Sequence, residues 1–305
     1  MSRNRKNFSP YVAGRECWAE IDGYRMRYLR LGPPKSARPP LVLIHGFLGY
    51  SFSWRYNLDA LARDREVYAI DLLGVGFSDR PPRGALSFTL RDIADRMLRW
   101  LEMSGLSKID LLGTSHGGAV AMRMAALDRE RNGDRIGRLV LVAPANPFSR
   151  TGRKRIWFFN TMLGAWVLKA TSGFQGGVRS WALGQMYADR KKIQDGTRAG
   201  YRAAMQVEGT LDYALAVVKT WREDMEELRE ALRLIEQMPA MLLWGDRDRA
   251  VSPSSVAMLA KSFRNAKQVE MKGVGHLPYE EAPEGFNREI LEFLDAAGEA
   301  KAAGE

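Results

Sequence analysis

A serine hydroxyl is a weak nucleophile until a neighbouring base can take its proton, and the base needs a third group to orient it. One serine in this chain sits in a setting built for that work: Gly113-Thr114-Ser115-His116-Gly117, a G-x-S-x-G run. The mostly apolar run Ile109 to Leu112 stops at Gly113, and a helical pattern starts at Gly117. A sharp strand-to-helix turn strains the residue at its tip and leaves no room for side chains at its flanks, so glycines there relieve the clash. Such a turn lifts the Ser115 hydroxyl above the sheet edge. The amides of the helix that follows then favour a developing negative charge at the same point. The five residues alone also fit a plain glycine-rich turn; the strand before and helix after them favour a nucleophile.

The chain has three histidines, His45, His116 and His276. His116 follows the serine directly and is badly placed across the turn to take its proton. His45 ends a short apolar run and precedes Gly46. His276 lies in Val274-Gly275-His276-Leu277-Pro278, a late loop, and is the expected base. Its orienting acid should follow the apolar run Ala240 to Trp244, where Gly245-Asp246-Arg247-Asp248-Arg249 offers two aspartates. Asp248, farther into the loop, is preferred, with Asp246 as the alternative. The chain order is then Ser, Asp, His.

These residues need elements to hold them. Trp18 to Ile21 and Arg25 to Leu31, joined by Asp22-Gly23, read as a hairpin. Leu41 to Ile44, Val67 to Ile70, Ile109 to Leu112, Leu139 to Val142, Ala240 to Trp244 and Gln268 to Met271 read as strands, most of them apolar throughout, as in a parallel sheet buried on both faces. Helical patterns fall between them: Leu58 to Ala62, Thr89 to Met103, Gly117 to Leu127, Ser254 to Phe263 and Gly285 to Ala297. The alternation predicts a doubly wound, mostly parallel α/β sheet, whose functional groups collect at the carboxyl ends of the strands. From about Pro147 to Met238 the strand signals stop. Helical spacing runs through Ile156 to Ala170, Arg179 to Asp189, Ala199 to Val207 and Leu211 to Ile235. The expected organisation is a core of residues 10–147 and 238–298, a helical insertion at 148–237, and loose ends at 1–9 and 299–305.

With these pieces in place, the sequence strongly resembles the α/β-hydrolase family with a helical cap, and most of all the branch that holds esterases, epoxide hydrolases and haloalkane dehalogenases. The resemblance runs from about Trp18 to Leu294. It is carried by His45-Gly46-Phe47-Leu48-Gly49, Ser53-Trp54-Arg55, the stretch Asp71 to Asp79, Gly113 to Gly118, Gly245 to Asp248 and Gly275-His276. It implies Asp248 as the acid, three residues after the glycine that closes its strand. It also implies an oxyanion hole from the backbone N–H groups of Phe47 and His116, which leaves the His45 side chain structural. Asp71 reads as a strand-end and turn residue. One departure matters: the epoxide hydrolases and dehalogenases of this branch carry an aspartate where Ser115 stands. A carboxylate suits attack on alkyl carbon and a serine hydroxyl suits acyl carbon. The expected activity is therefore hydrolysis of small or medium hydrophobic esters through an acyl-enzyme. The alternatives are a carbon–carbon bond hydrolase, a lactonase or a cofactor-free peroxidase-type enzyme with the same triad, or a small-ligand receptor that turns over slowly.

Composition sets the remaining bounds. Of 305 residues 46% are hydrophobic, enough for a sizeable core. The net charge of +10 raises the prior for anionic partners. Its clusters, residues 3–6, 150–155 and 190–192, read as solvated faces, so nucleic-acid binding is not expected. The insertion's aromatics, Trp157, Phe158, Phe159, Trp166, Phe174, Trp181 and Trp221, are expected to build cap core and an apolar pocket. Contact of Arg150 to Trp166 with a membrane is the lesser alternative. Cys17 is the single cysteine, so no intrachain disulfide forms and it reads as a small packed residue. No metal or cofactor is expected, because the histidines lack ligand spacing. No signal peptide and no membrane-spanning run is seen, and the expected location is the cytoplasm.

Overall fold

The computed structural model describes residues 16–149 and 177–302. An eight-stranded sheet forms its centre, in the order β1-β2-β4-β3-β5-β6-β7-β8. Strands β1 (Glu16–Ile21) and β2 (Tyr24–Leu31) form the expected hairpin, and β2 runs antiparallel to β4 (Val67–Ile70). The other strands, β3 (Leu41–Ile44), β5 (Ile109–Thr114), β6 (Ile136–Val142), β7 (Ala240–Gly245) and β8 (Ala266–Met271), are parallel to β4 and to one another. Every residue of β3, β4, β5 and β7 is buried. This is why their sequences are mostly apolar rather than alternating; the buried Asp110 of β5 is paired with Arg138 at 3.1 Å.

The pleat still sorts these residues. Val42, Ile44, Leu111, Leu139, Leu141 and Leu242 pack into one core, while Leu41, Leu43, Leu112, Val140, Val142 and Leu243 pack into another on the opposite face. The first face is covered by α2 (Leu90–Met103) and α3 (His116–Glu130). Thr89 caps α2 by accepting from the Asp92 amide. Residues 116–128 of α3 are all buried, which explains its run of Gly, Ala, Val and Met. The second face holds Trp54 and α1 (Leu58–Leu61), with Phe286 and Ile290 of the last helix, Pro283–Ala302.

Except for β3 and β4, the strands are longer than the runs that predict them. β5 continues through Gly113 and Thr114 because it pairs with β6 as far as Thr114 opposite Val142. β6 starts at Ile136 because that residue pairs with Ile109. Between β6 and β7 the described residues contain helices and no strand: α4 (Gly177–Met186), α5 (Thr197–Met205) and α6 (Thr210–Ala231), followed by a tight turn of helix at Leu232–Ile235. The expected helix at Ile156 to Ala170 lies outside the described residues. So do the aromatic side chains expected to pack there, except Trp221.

Candidate active site

The carboxyl ends of β3, β5, β6, β7 and β8 lie along one edge of the sheet, and Ser115, Asp248 and His276 follow β5, β7 and β8. Ser115 sits between β5 and α3 with φ 52° and ψ −121°. A positive φ is costly for a residue with a Cβ, of order 1–3 kcal/mol, and persists only where the surroundings enforce it. They do so here. The Ser115 amide donates to the Val142 carbonyl at 3.0 Å, and its carbonyl accepts from Gly118 and Ala145, both at 2.9 Å. The glycines are required by close approach rather than by φ. A Cβ on Gly113 would lie 2.2 Å from the Gly117 carbonyl oxygen, and one on Gly117 would lie 2.3 Å from that of His45.

His276 follows β8. Its Nδ1 lies 2.7 Å from Oδ2 of Asp248, with both side chains buried. The other carboxylate oxygen of Asp248 accepts from the amides of Ala250 at 2.7 Å and Val251 at 3.0 Å. Asp246 turns elsewhere: it accepts from the Gly273 amide at 2.7 Å and so closes the β8 turn. His45 is tied down locally. Its Nε2 accepts from the Leu72 amide at 3.1 Å, which leaves Nδ1 to donate to the Gly46 carbonyl at 2.8 Å. Burial holds the His45 imidazole below its ordinary pKa. His116 is buried between the rings of Phe47 and Trp221, and that burial pushes its pKa down to about 3. Both rings are neutral at working pH. The backbone N–H groups of Phe47 and His116 have no acceptor among the described residues. Asp71 is a strand-end anchor that takes Arg27 and the amides of Ser51 and Phe77.

Ser115, His276 and Phe47 line one cavity of about 790 Å³. Its wall is mainly apolar, with Leu48, Leu183, Met186, Met205 and Leu277. Trp221 packs on His116 and is not part of that wall. Among the described residues no cluster of three or more His, Cys, Asp or Glu is placed to hold a metal ion. No helix of the described residues is long and apolar enough to cross a membrane.

Sequence reasoning missed the two carboxylates next to His276. Glu280 is buried against the Arg55 guanidinium at 2.6 Å and the hydroxyls of Tyr187 and Tyr201. Glu281 accepts from three amides: Ala188 at 3.0 Å, Asp189 at 2.9 Å and Gly275 at 2.8 Å. The His276 amide also donates to the Met186 carbonyl, at 2.7 Å. The histidine loop is thus stitched to the segment between β6 and β7. The adjacent Glu-Glu pair four residues after the histidine was visible, but its partners are far away in sequence, up to 225 residues for Arg55. Glu281→Gln puts an NH₂ where a carboxylate oxygen faces an amide N–H. We expect a stability loss of about 2–4 kcal/mol by urea unfolding, since hydrogen bonds to charged groups contribute about 1.5–3 kcal/mol each. An unchanged midpoint would show that the three amides do not depend on this carboxylate.

A family model described as alpha/beta hydrolase fold matches residues 39–283. A dihydrolipoyllysine-residue acetyltransferase component of the acetoin cleaving system of Pseudomonas putida is 30% identical over 278 residues, covering 90% of this chain and 68% of that protein. A human (lyso)-N-acylphosphatidylethanolamine lipase is 26% identical, covering 87% of this chain and 82% of that one. Among solved structures, a membrane phospholipase A described as a bacterial virulence factor superposes with a TM-score of 0.69 at 26% identity, covering 92% of this chain and 86% of that one.

Proposed function

The chain belongs to the α/β-hydrolase fold family, and from that premise we propose that it is a serine hydrolase that cleaves small or medium hydrophobic carboxylic esters through an acyl-enzyme. One observation carries the reading. A serine held at positive φ lines the same apolar cavity as a histidine whose far nitrogen is 2.7 Å from a buried aspartate. In this reading Ser115 attacks the ester carbonyl while His276 Nε2 takes its proton. Asp248 fixes the tautomer with Nδ1–H toward the carboxylate and stabilises the imidazolium. The amides of Phe47 and His116 receive the oxyanion; one such donor is typically worth about 10²–10³ in kcat. His276 returns the proton to the leaving alkoxide, and water repeats the cycle on the acyl-enzyme.

Two further features support acyl chemistry. A serine hydroxyl suits acyl carbon, and two relatives of this chain are named for lipase and phospholipase activity. In the same reading residues 148–237 form a cap over a core of residues 10–147 and 238–298. The cap's described part supplies the Leu183, Met186 and Met205 side of the pocket.

The test is hydrolysis of p-nitrophenyl esters of graded acyl length, paired with a fluorophosphonate and mass analysis of the labelled peptide. We expect turnover of short or medium esters and one adduct on the peptide carrying Ser115. No turnover across the series and no adduct would end the ester reading and bring carbon–carbon cleavage or a receptor role forward.

A further inference from the structure

Among the described residues the charged side chains of the mainly apolar cavity wall, His276 aside, come from one stretch, residues 195–202. Arg198 and Arg202 of α5 both line the cavity, and both are exposed. Four residues apart, they share one face of the helix. Among the described residues neither is paired with a carboxylate. This contrasts with Arg55, which is consumed by the buried Glu280. Like charges at this spacing repel unless an anion lies between them. Asp195 also lines the cavity and offsets part of the charge. Even so, the stretch from Asp189 to Arg202 holds five cations against two carboxylates. The N-cap of the helix is Gly196, another lining residue that offers no side-chain cap, so the positive end of the helix also borders the cavity.

Building on the ester-hydrolase reading above, we propose that the mouth of the cavity is an anion subsite, and that the ester it takes carries a carboxylate or phosphate at the end remote from the scissile bond. Two guanidinium forks on one helical turn suit the planar oxygens of a carboxylate or the oxygens of a phosphate. The apolar wall formed by Leu183, Met186, Met205 and Leu277 would hold the chain between that group and Ser115. The substrate class is thus an anionic amphiphile. Its source is either a free acid with one end esterified or a lipid with a phosphate headgroup.

The experiment compares p-nitrophenyl esters of equal chain length that end in a methyl, a carboxylate or a phosphate. The readout is the ratio of kcat/KM for the charged ester to that for the neutral one. This ratio is internally controlled, because both esters report on the same folded molecules. We expect wild type to favour an anionic ester by roughly tenfold to a hundredfold, the range that charge-assisted hydrogen bonds support. The preference should shrink with added salt. The double variant Arg198→Gln/Arg202→Gln should bring the ratio near one. Arg198→Glu/Arg202→Glu should turn the preference toward a trimethylammonium-ended ester. A wild-type ratio at or below one, or a ratio that the variants leave intact, overturns the proposal.

A binding measurement separates this proposal from the reading it rests on. Octyl phosphate, octanoate and octanol are titrated into Ser115→Ala by calorimetry, which needs no turnover. Selective binding of the anions, together with a wild type that hydrolyses neither the charged nor the neutral esters, would sink the ester reading and leave the subsite standing. Ester turnover with no anion selectivity would do the reverse. Tighter binding of octyl phosphate than of octanoate assigns the lipid-type source, and the opposite order the free acid. If the double variant lost only its binding to phosphatidylglycerol vesicles and kept that of octyl phosphate, the arginines would be a surface patch and the subsite would fall.

Discussion

Replacing Ser115 by alanine is expected to lower kcat for ester hydrolysis by about 10⁴–10⁶ while leaving the fold intact. The size follows from the proposed division of labour. Without the oxygen there is no acyl-enzyme, and the base has nothing to deprotonate except water. What survives is binding and the two oxyanion amides, which on their own are worth about 10³–10⁴ over water. The fold is spared for a local reason. Alanine keeps the Cβ, so the positive φ of 52° costs it about what it costs serine. The backbone bonds to Val142, Gly118 and Ala145 do not involve the side chain. The check is steady-state kinetics alongside a thermal melt of the variant, with the labelling experiment to exclude trace wild type. Residual activity above about one part in a hundred, with a native melt, would mean that Ser115 is not the nucleophile.

Much of the frame behind this prediction could be read from residue order. β3 and β4 match their apolar runs residue for residue, because each is a fully buried strand bounded by residues that end the run, Pro40 and His45 for β3 and Glu66 and Asp71 for β4. The strained turn at Ser115 was legible because its glycines answer a steric demand that few other settings make. The preference for Asp248 over Asp246 comes from loop depth and from the spacing that the resemblance to the α/β-hydrolase family implies. In the structure Asp248 meets His276, and Asp246 meets the Gly273 amide. Other features had no local signature. The strand order β1-β2-β4-β3-β5 is a matter of crossovers that no single run encodes. The tie from Glu281 to Ala188 and Asp189 joins residues more than 90 positions apart. Tyr201, whose hydroxyl lies 3.0 Å from Ser53 Oγ on the cavity wall, stood in a helical pattern that showed only its spacing. Local pattern records which face is buried, and it is silent on which distant residue buries it.

Asp248→Asn tests the part of the proposed site where geometry makes the sharpest demand. The carboxylate is held by two different sets of partners. Its Oδ1 accepts from the amides of Ala250 and Val251, and its Oδ2 faces His276 Nδ1. In the variant, the carboxamide oxygen must stay toward the two amides, since turning it would set an NH₂ against two N–H donors. The NH₂ therefore faces the imidazole. Nδ1 must then become an acceptor, and the proton moves to Nε2, the nitrogen that the mechanism needs free. The histidine keeps its place and loses its basicity toward Ser115. We expect kcat/KM to fall by about 10⁴, with little change in thermal stability. Asp246→Asn is the matched control: its carbonyl oxygen still accepts from the Gly273 amide, and activity should stay within a few-fold of wild type. Two outcomes would count against the assignment. A small loss in Asp248→Asn would mean that the tautomer of His276 does not matter. A loss of equal size in both variants would mean that the loop as a whole is needed, rather than the one carboxylate in contact with the base.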